Sequence, residues 1–360
     1  MMKRILSIAL AGALCASALV ACGGSSSSTA ASSAPAASSE AASSQAASSE
    51  VAEAAPVENG LQIGQSYTAT SDYDYFTYAV AVVQGDTIVA AYLDDFQFFD
   101  TADGADIVGV PNSDADFGAD YAEGKVLTSK RENAAYYSEQ MAALAGSTVA
   151  IDANFDAIQA YAAGKTIDEL TATADSGNAV DAVSGATLTE TAVYLNAIAE
   201  AARNAQQNQA VAYDGDLGQL TLHVGYGAAH GTKCFTLASA LTDGERIVLS
   251  YLDDLQFMSS ADDVTGVPNS DDGFGANVAE GKVLASKRVN SDYYSANMAK
   301  AGSTVAIADN FDAIQNHLNG MTLADAEALA AEESPVDAIS GATLADTAGY
   351  INAVLEAAAE

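Results

Sequence analysis

FTYAVAVVQGDTIVAAYLDDFQF (76–98) and FTLASALTDGERIVLSYLDDLQF (235–257) are two versions of one stretch. In each, two runs rich in Val, Ile and aromatic residues flank a short polar turn. Gln84-Gly85-Asp86 makes that turn in the first copy and Asp243-Gly244 in the second. The pattern predicts a β-hairpin over 76–83 and 87–92. Further landmarks recur outward from it. GVPNSD stands at Gly109 and Gly266, SKR at Ser129 and Ser286, YYS at Tyr136 and Tyr293, and NFDAIQ at Asn154 and Asn310. Each unit is roughly 140 residues, the size of one ordinary domain and far too long for a solenoid repeat. The division is a first domain at 59–205, a polar linker at 206–217 and a second domain at 218–360.

Within a unit the pattern is α+β: a small antiparallel sheet with packed helices. A Gly/Asp/Pro/Asn-rich stretch at 101–124 predicts a long surface loop. Helices are expected at 134–145 and 154–163, the second capped by Asn154 or Asp152. A last helix is expected over 187–203, with Leu188, Ala192, Leu195, Ile198 and Ala202 at helical spacing. Leu344, Ala348, Ile351 and Leu355 repeat that spacing. The glycine-rich GYGAAHG from Gly225 is taken as the entry to the first strand of the second repeat.

The N-terminus, MMKRILSIALAGALCASALVAC, has a charged start and an apolar run too short for a mature membrane span. It reads as an export signal over 1–21, closing on a lipobox-like Leu19-Val20-Ala21-Cys22 with Cys22 as the lipidated residue. A Ser/Ala-rich stretch follows, and 22–58 is expected to be a disordered tether. Lys3 and Arg4 leave with the signal, so 11 of the 13 basic residues remain against 48 acidic ones. Such a balance excludes nucleic acid as a partner. Cys234 is then alone, which rules out an internal disulfide and a cysteine metal cluster. His223, His230 and His317 are read as surface or loop residues.

A second repeated stretch carries the chemistry: DAVSGATLTETA (181–192) and DAISGATLADTA (337–348). Thr187 with Glu190, and Thr343 with Asp346, have the spacing of a capping box, worth about 1 kcal/mol at a helix start. A helix start is also an anion site, because its backbone N–H groups lack partners. Gly185 and Ala186 would let a phosphate approach closely. Capping and phosphate attachment thus need the same place.

Asp-x-x-Ser-Gly-Ala-Thr resembles the flavinylation motif of the FMN-binding domain family. That family includes FMN-bearing subunits of sodium-pumping NADH:quinone reductase and of the Rnf complex, and lipid-anchored extracellular electron-transfer flavoproteins with two such domains. The resemblance implies two tandem FMN-binding-type domains behind the tether. A flavin transferase would use FAD to join FMN, through its phosphate, to Thr187 and Thr343. Asp181, Ser184, Gly185 and Ala186 complete the first motif; Asp337, Ser340, Gly341 and Ala342 complete the second. It further implies a membrane NADH dehydrogenase or quinone pool as electron donor and extracellular electron acceptors. The long acidic loop and the scarcity of lysine depart from the family pattern.

No histidine recurs near either motif, so an outside enzyme is expected to make the phosphoester. No P-loop, dinucleotide fingerprint or repeated acid–base–nucleophile set is present. A cofactor carrier is the economical reading, with the flavin doing the redox work. The alternative is a non-redox extracellular binding or adhesion module whose repeated turns are only helix caps. Lys125, Lys130, Arg131, Lys282, Lys287 and Arg288 could meet a flavin phosphate or anion, or be held by local ion pairs. Tyr136-Tyr137 and Tyr293-Tyr294 could flank a flavin ring, or sit one in the core and one half-exposed. NSDADFGAD lacks the glycine of an EF-hand loop and reads as a solvated acidic loop. Cys234 is expected to be a buried small apolar residue.

Overall fold

The computed structural model describes residues 57, 59–69, 73–101 and 106–359. The expected signal peptide, Cys22 and nearly all of the tether lie outside the described residues. The first repeat runs β1 (Gly60–Thr68), β2 (Tyr75–Gln84), β3 (Thr87–Asp100) and β4 (Lys125–Ser129). It continues through α1 (Ala134–Ala145), α2 (Ile151–Ala162), α3 (Ile167–Asp175), α4 (Ala179–Ala182) and α5 (Thr191–Ala205). A short β5 (Val211–Ala212) leads to the second repeat: β6 (Thr221–Gly227), β7 (Cys234–Thr242), β8 (Ile247–Ser259) and β9 (Lys282–Ser286). Four helices close it: α6 (Ser291–Lys300), α7 (Ile307–Leu318), α8 (Leu323–Ala330) and α9 (Thr347–Ala358).

The fold is α+β. Both sheets are antiparallel, ordered β4-β3-β2-β1-β5 and β6-β7-β8-β9. The predicted hairpin is present, but β3 continues to Asp100 and pairs with β4. GYGAAHG lies at the end of the first strand of its repeat rather than at its entry, since β6 stops at Gly227. The segment read as linker supplies β5, which pairs with β1 through Gly60↔Ala212 and Leu61↔Val211.

Strand alternation assigns the two faces of β2 to two cores. Ala79, Ala81 and Val83 face the helices, packed with Phe155, Leu170 and Ile198. Phe76, Tyr78, Val80 and Val82 face the other way, into a cluster that also holds Phe235, Leu237, Leu241 and Leu255 of the second repeat. Being buried on both faces, β2 reads as a nearly unbroken apolar run. The second repeat has its own helix-side core around Phe311, Ile314, Tyr350 and Ile351. Residues 55–360 form one compact unit, so the repeats share their sheet-to-sheet core. Two polar contacts to buried carboxyls cross it reciprocally. The Tyr226 hydroxyl donates to Asp94 Oδ2 at 2.7 Å, and the Tyr67 hydroxyl donates to Asp253 Oδ2 at 3.0 Å.

The acidic loop between β3 and β4 is not simply solvated. Val110 and Phe117 are buried within the shared core, as are Val267 and Phe274 of the second copy.

Candidate functional site

The repeated motif is an exposed turn hung between buried hooks. Asp181 lies exposed in α4, and Val183 turns inward to 2% exposure. In the second copy Asp337 lies in a 3-10 turn over Pro335–Ala338, and Ile339 is the hook at 3%. Gly185 and Gly341 follow at φ +96° and +92°, a region that glycine enters without strain. Ser184 and Ser340 are exposed, and Ala186 and Ala342 are half-buried. Thr187 and Thr343 are exposed as well.

What holds each threonine is a buried asparagine. The Thr187 backbone N–H donates to Asn154 Oδ1 at 2.7 Å, and its hydroxyl to the same oxygen at 3.2 Å. Thr343 meets Asn310 Oδ1 at 2.6 and 3.1 Å. Each asparagine is 0% exposed. The Asn154 amide donates to the carbonyls of Val149 and Ala150, and that of Asn310 to Val305 and Ala306.

Three expectations are corrected here. The last helix starts at Thr191, with Glu190 as an N-cap that makes no side-chain cap bond, so Thr187 caps nothing. Thr343 likewise precedes α9, whose N-cap is Asp346. The capping box occurs instead at Thr166 and Glu169 of α3. Asn154 does not cap α2, whose N-cap is Ala150; it sits in the first turn and reaches across to the motif. The anion site therefore is not a helix end at Thr187, whose backbone N–H is already bonded.

Beside Thr187 opens a cleft of about 570 Å³ between the motif, α1 and the start of β2. Its walls include Tyr75, Tyr137, Met141, Leu188 and Tyr194, with Lys130 among them. Of the five first-motif residues, Thr187 is the one that lines it. Lys130 Nζ lies 3.0 Å from Asp95 Oδ2 and 3.8 Å from the centre of the Tyr75 ring. Asp95 also accepts from Thr77 and Tyr194 hydroxyls at 2.6 and 2.8 Å. Burial alone would push the Lys130 ammonium down, but Asp95, Tyr137 and Tyr75 more than offset it, and the lysine stays charged.

The second repeat rebuilds this network. Lys287 meets Asp254 Oδ2 at 2.8 Å, and Asp254 accepts from Thr236 and Tyr350 at 2.6 and 2.7 Å. Cys234 stands where the first repeat has Tyr75. It is buried as expected, and burial, with the Asp254 charge, pushes its thiol up to about 12. A cleft of about 440 Å³ is lined there by Phe257, Tyr293, Tyr294 and Met298; Thr343 is not part of its wall.

The basic cluster divides. Lys125 pairs with Asp100, Arg131 with Asp156 and Arg288 with Asp312. Lys282 pairs with Asp120 of the other repeat. Neither tyrosine of either YYS is buried; all four are half-buried, and Tyr137 and Tyr294 both face a lysine. His230 Nδ1 lies 2.7 Å from Asp346, so the second motif has a histidine near it; Tyr73 bonds Glu190 at the matching place. Among the described residues no group of three or more His, Cys, Asp or Glu could hold a metal, and no helix is long and apolar enough to cross a membrane.

Asn154, Asp95 and Tyr194 are absent from the sequence-predicted site. Their signal was in the sequence, because NFDAIQ, YLDD and the TAxY at Thr191 and Thr347 recur with the motif in both units. Compared with protein-family models, curated proteins and solved structures, the chain matches none.

Proposed function

We propose that the chain is a lipid-anchored electron carrier bearing FMN attached through its phosphate to Thr187 and Thr343. One observation carries this reading. Each threonine is exposed, caps no helix, and is held by a buried asparagine in geometry reproduced to 0.1 Å between copies. A turn serving only as a cap would not need that support. The first cleft also fits a flavin in its chemistry: aromatic and thioether walls for a flat ring, and a buried charged lysine for an anionic one. Bound FMN would supply the one- and two-electron redox chemistry.

The chain's own residues have supporting parts. Asn154 and Asn310 fix the threonine oxygens but are amides, not bases, so a flavin transferase must supply the activation. Attachment forms an Oγ–P bond and breaks the pyrophosphate bond of FAD. AMP leaves, and the hydroxyl proton passes to the modifying enzyme. Electrons would come from a membrane NADH dehydrogenase or the quinone pool and go to extracellular acceptors.

Intact mass after co-expression with a flavin transferase tests the reading. Two FMN additions are expected on the wild type, one on Thr187→Ala or Thr343→Ala, and none on the double variant. No addition to the wild type, with the transferase active on another substrate, would leave the non-redox binding module in front.

A further inference from the structure

We infer that the long loop of each repeat is a positioning device for the attachment site of the other repeat. Asn269 serves the Thr187 cleft, and Asn112 serves the Thr343 motif. The inference rests on the proposed flavin role for what is positioned; the crossed contacts themselves do not depend on it.

Both asparagines hold the left-handed conformation, at φ +66° for Asn112 and +61° for Asn269. Asparagine tolerates this better than most residues. The Asn112 side-chain amide donates to the carbonyls of Gly231 and Cys234, at 2.9 and 2.7 Å. That of Asn269 donates to the Tyr75 carbonyl at 3.0 Å. Each asparagine therefore reaches from one repeat to the first residue of a central strand in the other, Cys234 of β7 and Tyr75 of β2, and Asn112 also to Gly231 just before it. Neighbouring bonds reinforce the first crossing: Phe117 N–H donates to the Thr232 carbonyl at 2.8 Å, and the Thr232 hydroxyl to Asp116 at 2.8 Å. The loops also meet each other in an antiparallel bridge, Tyr121↔Val278.

The strand starts that the loops hold belong to the sites. Tyr75 lines the cleft with Thr187, and Tyr73 beside it donates to Glu190, three residues after that threonine. In the second copy His230 contacts Asp346, three residues after Thr343, and Cys234 lies 3.5 Å from Lys287. The same crossing is thus made twice, in opposite directions. This gives the GVPNSD repeats, whose acidic loops are a departure from the family pattern, a definite task.

Asn112→Gly and Asn269→Gly test the idea. Glycine keeps the left-handed backbone and removes only the amide. The full chain is co-expressed with a flavin transferase, and early FMN occupancy is mapped separately on the Thr187 and Thr343 peptides. Asn269→Gly should lower occupancy at Thr187 about two- to tenfold, the range of one neutral hydrogen bond, and spare Thr343. Asn112→Gly should do the reverse. Hydrogen exchange of the unmodified protein provides a second readout: segment 73–78 should exchange faster in Asn269→Gly, and 231–237 in Asn112→Gly. Loss at the variant's own repeat, or equal loss at both, would overturn the inference. If the wild type takes no FMN, the flavin reading fails and exchange alone decides: crossed deprotection sustains the positioning, and its absence refutes it.

Discussion

Asp94 and Asp253 are carboxyls that the fold removes from water in the middle of the molecule, each 0% exposed. Asp94 accepts hydrogen bonds from the Ser129 and Tyr226 hydroxyls and from the backbone N–H groups of Asp95 and Arg131. Burial dominates these, and its pKa rises to about 6; Asp253 is raised by burial in the same way. A folded-state pKa above the unfolded value of about 3.9 means that the native protein binds the proton more tightly. The resulting stability is fully present below about pH 4 and is lost as pH rises through about 6, by roughly 3 kcal/mol for Asp94. Asp94→Asn removes this dependence. Denaturant unfolding of both proteins at pH 4, 5, 6 and 7.5 should show the wild type losing ground to the variant as pH rises. Parallel curves would refute the assignment. The buried Lys130–Asp95 and Lys287–Asp254 pairs differ in kind, since each carboxylate is matched by an ammonium.

The contact of helix α5 with strand β1 depends on a missing side chain. A Cβ built on Gly64 would lie 2.7 Å from the Cα of Ala205, a backbone atom that cannot swing aside. A second approach of helix to strand, at Gly225 in the other repeat (the place that Ser66 takes in the first), is looser, with a Cβ there at 3.1 Å from the Cα of Ala357. Gly64→Ala should therefore cost about 2–3 kcal/mol by overpacking and Gly225→Ala clearly less, to be read as the difference between their unfolding midpoints. Equal losses would mean that both helices can shift. Element by element, what could be read from the sequence follows from how local its cause is. The hairpin and α1 were legible because their turn residues and composition are local signals. Strand β1, GLQIGQSYT, was not, because its polar Gln65 and Ser66 are buried by partners distant in sequence, Asp253 and the Ala197 carbonyl. The start of α5 was misjudged because Leu188 continues the apolar spacing of Ala192 and Leu195 into the turn before the helix. Thr187-x-x-Glu190 and Thr166-x-x-Glu169 look alike in sequence; only the second forms the box. The motif itself was visible through its repetition, whereas Asn154 as its support needed the fold to bring together residues 33 apart.

At the scale of the whole molecule, the repeats behave as two halves of one self-complementary interface. Phe96 packs on Phe235 with ring centres 5.6 Å apart, and Phe76 on Phe274 at 5.2 Å. All four are fully buried. Cutting the chain between the repeats would expose this face, an apolar area that a monomeric protein rarely presents. The partners have counterparts within each half, however. Phe235 corresponds to Phe76, Asp253 to Asp94, Tyr226 to Tyr67 and Phe274 to Phe117. A fragment of residues 55–217 therefore carries both sides of the contact: its Tyr67 can reach Asp94 of a second copy, as Tyr67 reaches Asp253 in the intact chain. Such a surface closes on itself about a two-fold axis. The fragment should sediment as a dimer, and Phe96→Asp should convert it to monomer or aggregate. The same substitution in the full chain should chiefly lower stability, since there the partner is covalently attached and its effective concentration is high. A fragment that stays monomeric and folded would show that each repeat is stable alone, and that the shared core is an association of two finished domains.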